Sequence, residues 1–206
     1  RITSKNSSLE KENFIIKENS LTNKNSNCTL SITNPASPGF QTVEIQENNS
    51  LSVKTDAYFG KVTNNGNLKS AGGTTTSIIE LINNNEVVIE GNLTITESAT
   101  NNSSITVNGD TTIHTIENKG SANLFGTTNT ITNFSNFGTF TPAENSTLNI
   151  VSEISNNDEG LFNAENITVN ITGPESSTVS IIGNGPEGTR FGTLSVNKSL
   201  TLSFSN

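Results

Sequence analysis

The stretch Val62-Thr-Asn64-Asn-Gly66-Asn-Leu68 begins and ends with an apolar residue and carries asparagine at its third position and glycine at its fifth. Four later stretches keep this seven-residue template, with Gly, Asn or Ser at the fifth position: residues 81–87, 99–105, 116–122 and 134–140. The third-position asparagines are Asn64, Asn83, Asn101, Asn118 and Asn136, at intervals of 19, 18, 17 and 18 residues. Such near-constant spacing is typical of a repeat array rather than of a single globular core.

Between the templates lie short runs in which apolar and polar residues alternate. Examples are Leu93-Thr-Ile95, Ile105-Thr-Val107 and Leu148-Asn-Ile150. A period of two predicts strands with one buried face. Sandwiches and closed barrels use varied turns, whereas a solenoid repeats the same corner once per coil. The sequence therefore predicts an all-β parallel solenoid with coils of about 17–22 residues.

Each position of the template has a predicted role in such a coil. The apolar positions, including Val62, Leu81, Ile116 and Phe134, are expected to point inward and to stack from coil to coil. The five asparagines are expected to pass amide hydrogen bonds along the axis as a ladder. The Gly, Asn or Ser position is expected to supply a left-handed backbone or a tight corner. The alternative is that the asparagines are unrelated loop residues in an Asn-rich chain.

The regular pattern covers only part of the chain. We predict one continuous solenoid array over residues 46–206, preceded by an N-terminal capping region and first irregular coils over residues 1–45. Within that region Ser7 and Glu10 form a capping-box pattern, so a capping helix over residues 7–21 is an alternative. A looser copy at residues 154–162 has two extra residues before its glycine and is expected to contain a corner loop.

The composition limits the kinds of protein that this chain can be. Asn, Thr and Ser account for 90 of the 206 residues and apolar residues for 30%, which favours a narrow core with polar outer faces. The net charge is −8 and the basic residues are scattered, so neither nucleic acid nor an anionic membrane is an expected partner. No apolar run is long enough for a membrane-spanning helix, so no transmembrane segment is predicted.

Residues that could carry out chemistry are few. His114 is the only histidine and Cys28 the only cysteine, so neither a zinc site nor a Ser-His-acid triad is indicated. The acidic pairs Glu10/Glu12 and Asp158/Glu159 are too close in sequence to lie on opposite sides of a sugar. Thr-x-Thr pairs such as Thr94-Ile-Thr96 do not recur in every repeat, so an ice-binding array is not predicted. The sequence thus predicts no catalytic, cofactor or metal site.

Two of these stretches also resemble a known group of proteins. Val62-Thr-Asn-Asn-Gly-Asn-Leu68 and Thr130-Ile-Thr-Asn-Phe-Ser-Asn-Phe-Gly-Thr-Phe140 are similar to the repeats of autotransporter passenger domains and related bacterial surface adhesins. The resemblance covers about residues 59–171. It implies a right-handed parallel β-helix that is secreted through the outer membrane of a Gram-negative bacterium. It also implies display on the cell surface as an adhesin, a self-associating stalk or a toxin-like passenger.

The predicted function is therefore non-enzymatic. The solenoid is expected to bind a host surface protein or glycan, or its own copies in trans, through repeated Asn, Thr and Ser side chains. Two alternatives remain open at this stage. One is a polysaccharide lyase or hydrolase on the same fold, for which the chain offers only Arg1, Arg190 and Tyr58 as candidate base or sugar-platform residues. The other is a structural surface spacer without a ligand.

Overall fold

The computed structural model describes the backbone of residues 9–11, 14–17, 20–23, 29–32, 42–157, 160–173, 179–183, 188–196 and 200–204, and the side chains within 42–157, 160–173 and 188–196. These residues contain strands and connecting turns, and no helix. None of them forms a helix that could span a membrane. Cys28, Arg1, Ser7, Glu12, Asp158 and Glu159 lie outside the described residues.

The N-terminal strands differ from the rest in their direction of pairing. They are β1 (Leu9–Lys11), β2 (Phe14–Lys17), β3 (Ser20–Asn23) and β4 (Thr29–Ile32). β1 pairs with β2 and β2 with β3 in antiparallel fashion, and β3 then begins the parallel stacking by pairing with β5 (Thr42–Ile45). The possible capping helix over residues 7–21 is wrong, because β1 and β2 are strands that pair with each other.

The central part of the chain consists of seven stacked coils, each with a first and a second strand. After β5 these strands are β6 (Ser50–Val53), β7 (Ala57–Asn64), β8 (Asn67–Ser70), β9 (Thr75–Asn83), β10 (Glu86–Ile89), β11 (Asn92–Asn101), β12 (Ser104–Val107), β13 (Thr111–Asn118), β14 (Ser121–Leu124), β15 (Thr128–Asn136), β16 (Thr139–Pro142), β17 (Thr147–Asn156) and β18 (Leu161–Ile171). Each strand pairs in parallel with the equivalent strands of the coils before and after it. The prediction of an all-β parallel solenoid is confirmed.

Two further turns of chain extend the stack toward the C-terminus. They contain β19 (Val179–Gly183), β20 (Thr189–Val196) and β21 (Leu200–Phe204). β20 pairs with β18, and β19 pairs with both β17 and β21, always in parallel. The same stacking thus continues through all the described C-terminal strands.

Every long strand is divided by a break in register, so a complete coil has three straight segments. In the coil that contains β11 they are residues 93–95, 98–101 and 104–107, and we name the three ladders that they form side 1, side 2 and side 3. At the break in β7, inward-facing positions fall at Phe59 and Val62, an interval of three instead of two. The extra residue turns the chain while both segments keep their apolar side chains inside.

The core is a column of apolar side chains along the axis. Val62, Leu81, Ile116 and Phe134 are all at most 1% exposed, and register pairs Val62 with Leu81 and Ile116 with Phe134. The prediction that these residues stack inside the coils is confirmed. Full burial of each such side chain contributes roughly 1.5–3 kcal/mol to stability.

Four phenylalanines thicken the column near its C-terminal end. The ring centroids of Phe134 and Phe140 are 5.0 Å apart, those of Phe140 and Phe162 are 5.0 Å apart, and Phe191 lies 5.4 Å beyond Phe162. Such aromatic pairs add to the energy of burial alone. This cluster joins two successive coils to the strand β20.

The expected left-handed backbone at the fifth template position is wrong. Among the described residues, positive φ occurs at Asn48, Gly73 and Asn145, which lie outside the template. Glycine at the template corner has a different cause, because coils approach each other closely there. A Cβ atom on Gly120 would collide with the carbonyl oxygen of Ser103 in the coil before it.

Candidate functional site

The five template asparagines lie in one buried row at the corner between side 2 and side 3. Each donates from Nδ2 to Oδ1 of the next, over 2.8 Å from Asn64 to Asn83 and from Asn83 to Asn101, and over 2.7 Å from Asn101 to Asn118 and from Asn118 to Asn136. All five are 0% exposed. The structure thus brings together every residue of the ladder that the sequence suggested.

The row continues into the irregular copy at residues 154–162. Asn136 donates to Asn156 over 2.7 Å, and Asn156 donates to Thr189 Oγ1 over 2.8 Å. At the other end Asn64 stacks on Ile45, which cannot continue the chain of amides. The inner asparagine ladder, as we name it, therefore runs from Asn64 to Asn156.

Main-chain groups satisfy the rest of each amide. Asn101 Nδ2 also donates to the carbonyl of Ser121 at 2.9 Å, and Asn83 Nδ2 donates to that of Ser104 at 2.9 Å. The amide of Gly66 donates to Asn64 Oδ1 at 3.2 Å. Buried polar groups are costly unless paired, and chains of hydrogen bonds strengthen one another. These asparagines hold the corner of six successive coils, and because they are buried they offer nothing to a ligand.

A second, shorter ladder lies outside the same corner. Asn84 Nδ2 donates to Asn65 Oδ1, and Asn102 Nδ2 to Asn84 Oδ1, each over 2.7 Å. Lys119 and Phe137 occupy the equivalent place in the following coils, as their backbone bonds show. Asn84 and Asn102 are exposed, so their bonds compete with water and contribute less than those of the inner ladder.

Side 1 presents the most regular solvent-facing surface. Two rows of short polar side chains run along it, with one residue of each row in each side-1 segment, and we name them together the side-1 rows. The C-terminal part of β18 forms the side-1 segment that follows that of β17. The first row is Thr75, Asn92, Asp110, Thr128, Thr147, Thr168 and Thr193. The second row is Ser77, Thr94, Thr112, Thr130, Asn149, Asn170 and Ser195. All fourteen are exposed or half-buried.

Sequence reasoning missed these rows. From Ser77 to Asn149 the second row recurs at intervals of 17, 18, 18 and 19 residues, but its members change among Ser, Thr and Asn, so Thr-x-Thr pairs do not mark it. A usable signal was the buried isoleucine that follows most members of the second row, as in Thr94-Ile95, Thr112-Ile113 and Thr130-Ile131. Aligning the coils on that isoleucine brings the polar residues into register.

Charged side chains form pairs on the other two sides. Lys61 Nζ lies 2.8 Å from Glu80 on side 2, and Lys69 Nζ lies 3.4 Å from Glu86 on side 3. Both pairs join adjacent coils and are exposed, so each contributes at most about 1 kcal/mol. Arg190 likewise pairs with Glu165 at 3.1 Å.

The remaining candidate residues from the sequence do not come together. His114 and Tyr58 are exposed on side 1, in coils separated by two others. Within the described part of the chain, no group of three or more His, Cys, Asp or Glu side chains could hold a metal ion. Among the described residues, these side chains therefore share no common site.

Comparison with models of known protein families, with curated proteins and with solved structures finds no match to this chain.

Proposed function

We propose that this chain is an extracellular or cell-surface β-solenoid of the passenger type, displayed at a bacterial outer membrane, which mediates adhesion or self-association through repeated polar rows. The observation that carries the proposal is the recurrence of the side-1 rows in seven successive side-1 segments, from β9 to β20. Identical weak contacts add along such a surface and produce avidity without a deep pocket. The partner is a host surface protein or glycan, or another copy of the chain in trans. This mechanism requires no catalytic residue.

The experiment uses beads coated with the intact chain. Clumping of coated beads with one another supports self-association, and binding of the beads to host cells without clumping supports a receptor or glycan adhesin. Beads coated with the Ile116→Asp variant are the control, since a charge in the core should unfold the middle of the array. If beads with the folded chain neither clump nor bind cells, the adhesive proposal is wrong. The alternative, a structural surface spacer without a ligand, is then favoured.

The enzymatic alternative has a separate test. The chain is incubated with acidic and neutral polysaccharides, and new reducing ends or unsaturated ends are measured. Product formation by the folded chain, and not by Ile116→Asp, would overturn the non-enzymatic proposal.

A further inference from the structure

The side-1 rows form a two-dimensional array with fixed repeats. Neighbouring members of one row lie in adjacent paired strands, about 4.8 Å apart. Members of the two rows in one coil, such as Thr128 and Thr130, are two residues apart on the same strand, or roughly 6.7 Å. A ligand that follows this array must itself repeat along the solenoid axis at close to the coil spacing.

The array is almost free of charge. Asp110 is the one ionisable residue among the fourteen, and its Oδ1 already accepts the backbone N–H of Thr128 at 2.9 Å and the hydroxyl of Thr127 at 3.1 Å. Asp56 precedes Thr75 in the first row, and its Oδ1 likewise accepts the backbone N–H of Thr75 at 2.8 Å. The ion pairs Lys61–Glu80 and Lys69–Glu86 lie on the other two sides. A charged ligand therefore finds few groups to pair with on side 1, whereas a neutral polar ligand has no charge to desolvate and can replace the lost water contacts with hydrogen bonds.

The array also lacks the large apolar side chains that fill the centre of a protein–protein interface. Its hydroxyls and amides both donate and accept hydrogen bonds. Neighbours use part of this capacity, since Asn170 Nδ2 donates to Asn149 Oδ1 at 3.2 Å and Asn149 Nδ2 contacts Thr130 Oγ1 at 3.4 Å. Those contacts fix the orientation of the two amides along the row, and the remaining donors and acceptors face solvent.

An aromatic ring lies at one end of the second row. Tyr58 is in register with Ser77 and is 41% exposed. A flat ring beside hydroxyls and amides suits the face of a sugar, which carries C–H groups on its ring and hydroxyls at its edge. The seven residues of the second row include no aromatic side chain, so the ring of Tyr58 marks one end of the array.

We propose that side 1 binds an extended, uncharged polysaccharide whose chain lies along the solenoid axis, with successive sugars on successive coils. An extended β-linked hexose chain repeats at nearly the coil spacing, and its hydroxyls match the donors and acceptors of the side-1 rows. This inference rests on the proposed adhesive function and names its ligand class and its surface. Each coil adds a weak contact, so affinity grows with the number of sugars.

The test measures binding of the full chain to cellulose and chitin, with hyaluronate as a charged competitor. The variant Thr112→Val/Thr130→Val removes two adjacent hydroxyls from the second row and keeps side-chain shape. The control Thr106→Val/Thr141→Val makes the same change on side 3, where both threonines are half-buried. Unchanged thermal midpoints establish that both variants fold.

We expect roughly thirtyfold weaker binding to the neutral polymers for the side-1 variant, because it loses two hydrogen bonds to the ligand. The control should stay within about twofold of the parent, and hyaluronate should not compete. Equal loss in both variants, or displacement by hyaluronate, would overturn the inference. If coated beads clump or bind cells and neither polymer binds, the inference fails while the adhesive function stands.

Discussion

Asn101 Nδ2 donates to Asn118 Oδ1 over 2.7 Å, although the two residues are 17 positions apart in the chain. Asn101 accepts in turn from Asn83 over 2.8 Å, so it is a central link of a six-membered ladder. A polar residue in the core of a thin solenoid is thereby fully paired. The ladder fixes which coil stacks on which, because a shift of one residue would replace each buried amide by an outward-facing neighbour.

The first prediction concerns Asn101→Leu. Leucine removes the donor to Asn118 Oδ1, which leaves that buried oxygen unpaired at a cost of roughly 1–3 kcal/mol, and it removes one of the acceptors of Asn83 Nδ2, which keeps its main-chain partners. We expect a clear drop in the urea midpoint. Asn102→Leu, next in the chain but exposed, should shift stability by about 0.5 kcal/mol or less. The Asn102→Leu control itself breaks a hydrogen bond to Asn84, so a second control is needed. Asn67→Leu on side 3 serves for this. Equal effects of all three changes would contradict a structural role for the ladder.

The second prediction concerns the apolar column. Ile116 is 1% exposed and stacks between Ala99 and Phe134, so Ile116→Asp places a carboxylate where no partner exists for it. We expect loss of the cooperative unfolding transition by circular dichroism. Thr115→Asp, on the outer face next to it, should leave the transition in place. A parent-like thermal midpoint for Ile116→Asp would mean that the register is wrong.

The third prediction concerns the aromatic cluster. Phe140 is 0% exposed and packs against both Phe134 and Phe162, so Phe140→Ala should cost about 3–5 kcal/mol. Phe137→Ala removes a ring that is 43% exposed and should cost far less. Chemical unfolding of both variants checks this difference. Similar losses would show that the cluster does not hold the C-terminal coils.

The fourth prediction concerns the close approach at Gly120. Gly120→Ala adds a Cβ against the carbonyl of Ser103, so we expect destabilisation of roughly 1–3 kcal/mol. At Gly72 the nearest atoms to such a Cβ belong to Glu90, 4.0 Å away, and Gly72→Ala should be neutral or slightly stabilising. Differential scanning calorimetry separates the two. If Gly120→Ala left the unfolding temperature unchanged, this would contradict the close approach of the two coils at this corner.

The sequence predicted the parts of the fold that recur at nearly fixed intervals. The apolar column and the inner ladder were visible because Val62, Asn64 and their equivalents keep their places relative to one another in each template. The side-1 rows were not visible, because the residue at each row position changes among Ser, Thr, Asn and Asp from coil to coil, whereas the ladder position keeps asparagine. The role of Gly120 was also missed, since contact with a neighbouring coil leaves no trace in local backbone preference.

The central claim is that successive coils stack in one register, which makes the side-1 rows continuous. Disulfide trapping tests it in a Cys28→Ser background. Thr112 and Thr130 are directly paired, so their Cα atoms lie about 4.8 Å apart, within the range that a disulfide spans. We predict that Thr112→Cys/Thr130→Cys forms an intramolecular disulfide rapidly under mild oxidation. The control Thr112→Cys/Thr132→Cys places the second thiol two residues out of register and should remain reduced. Failure of the first pair, or equal trapping of both, would contradict the register and the continuous rows.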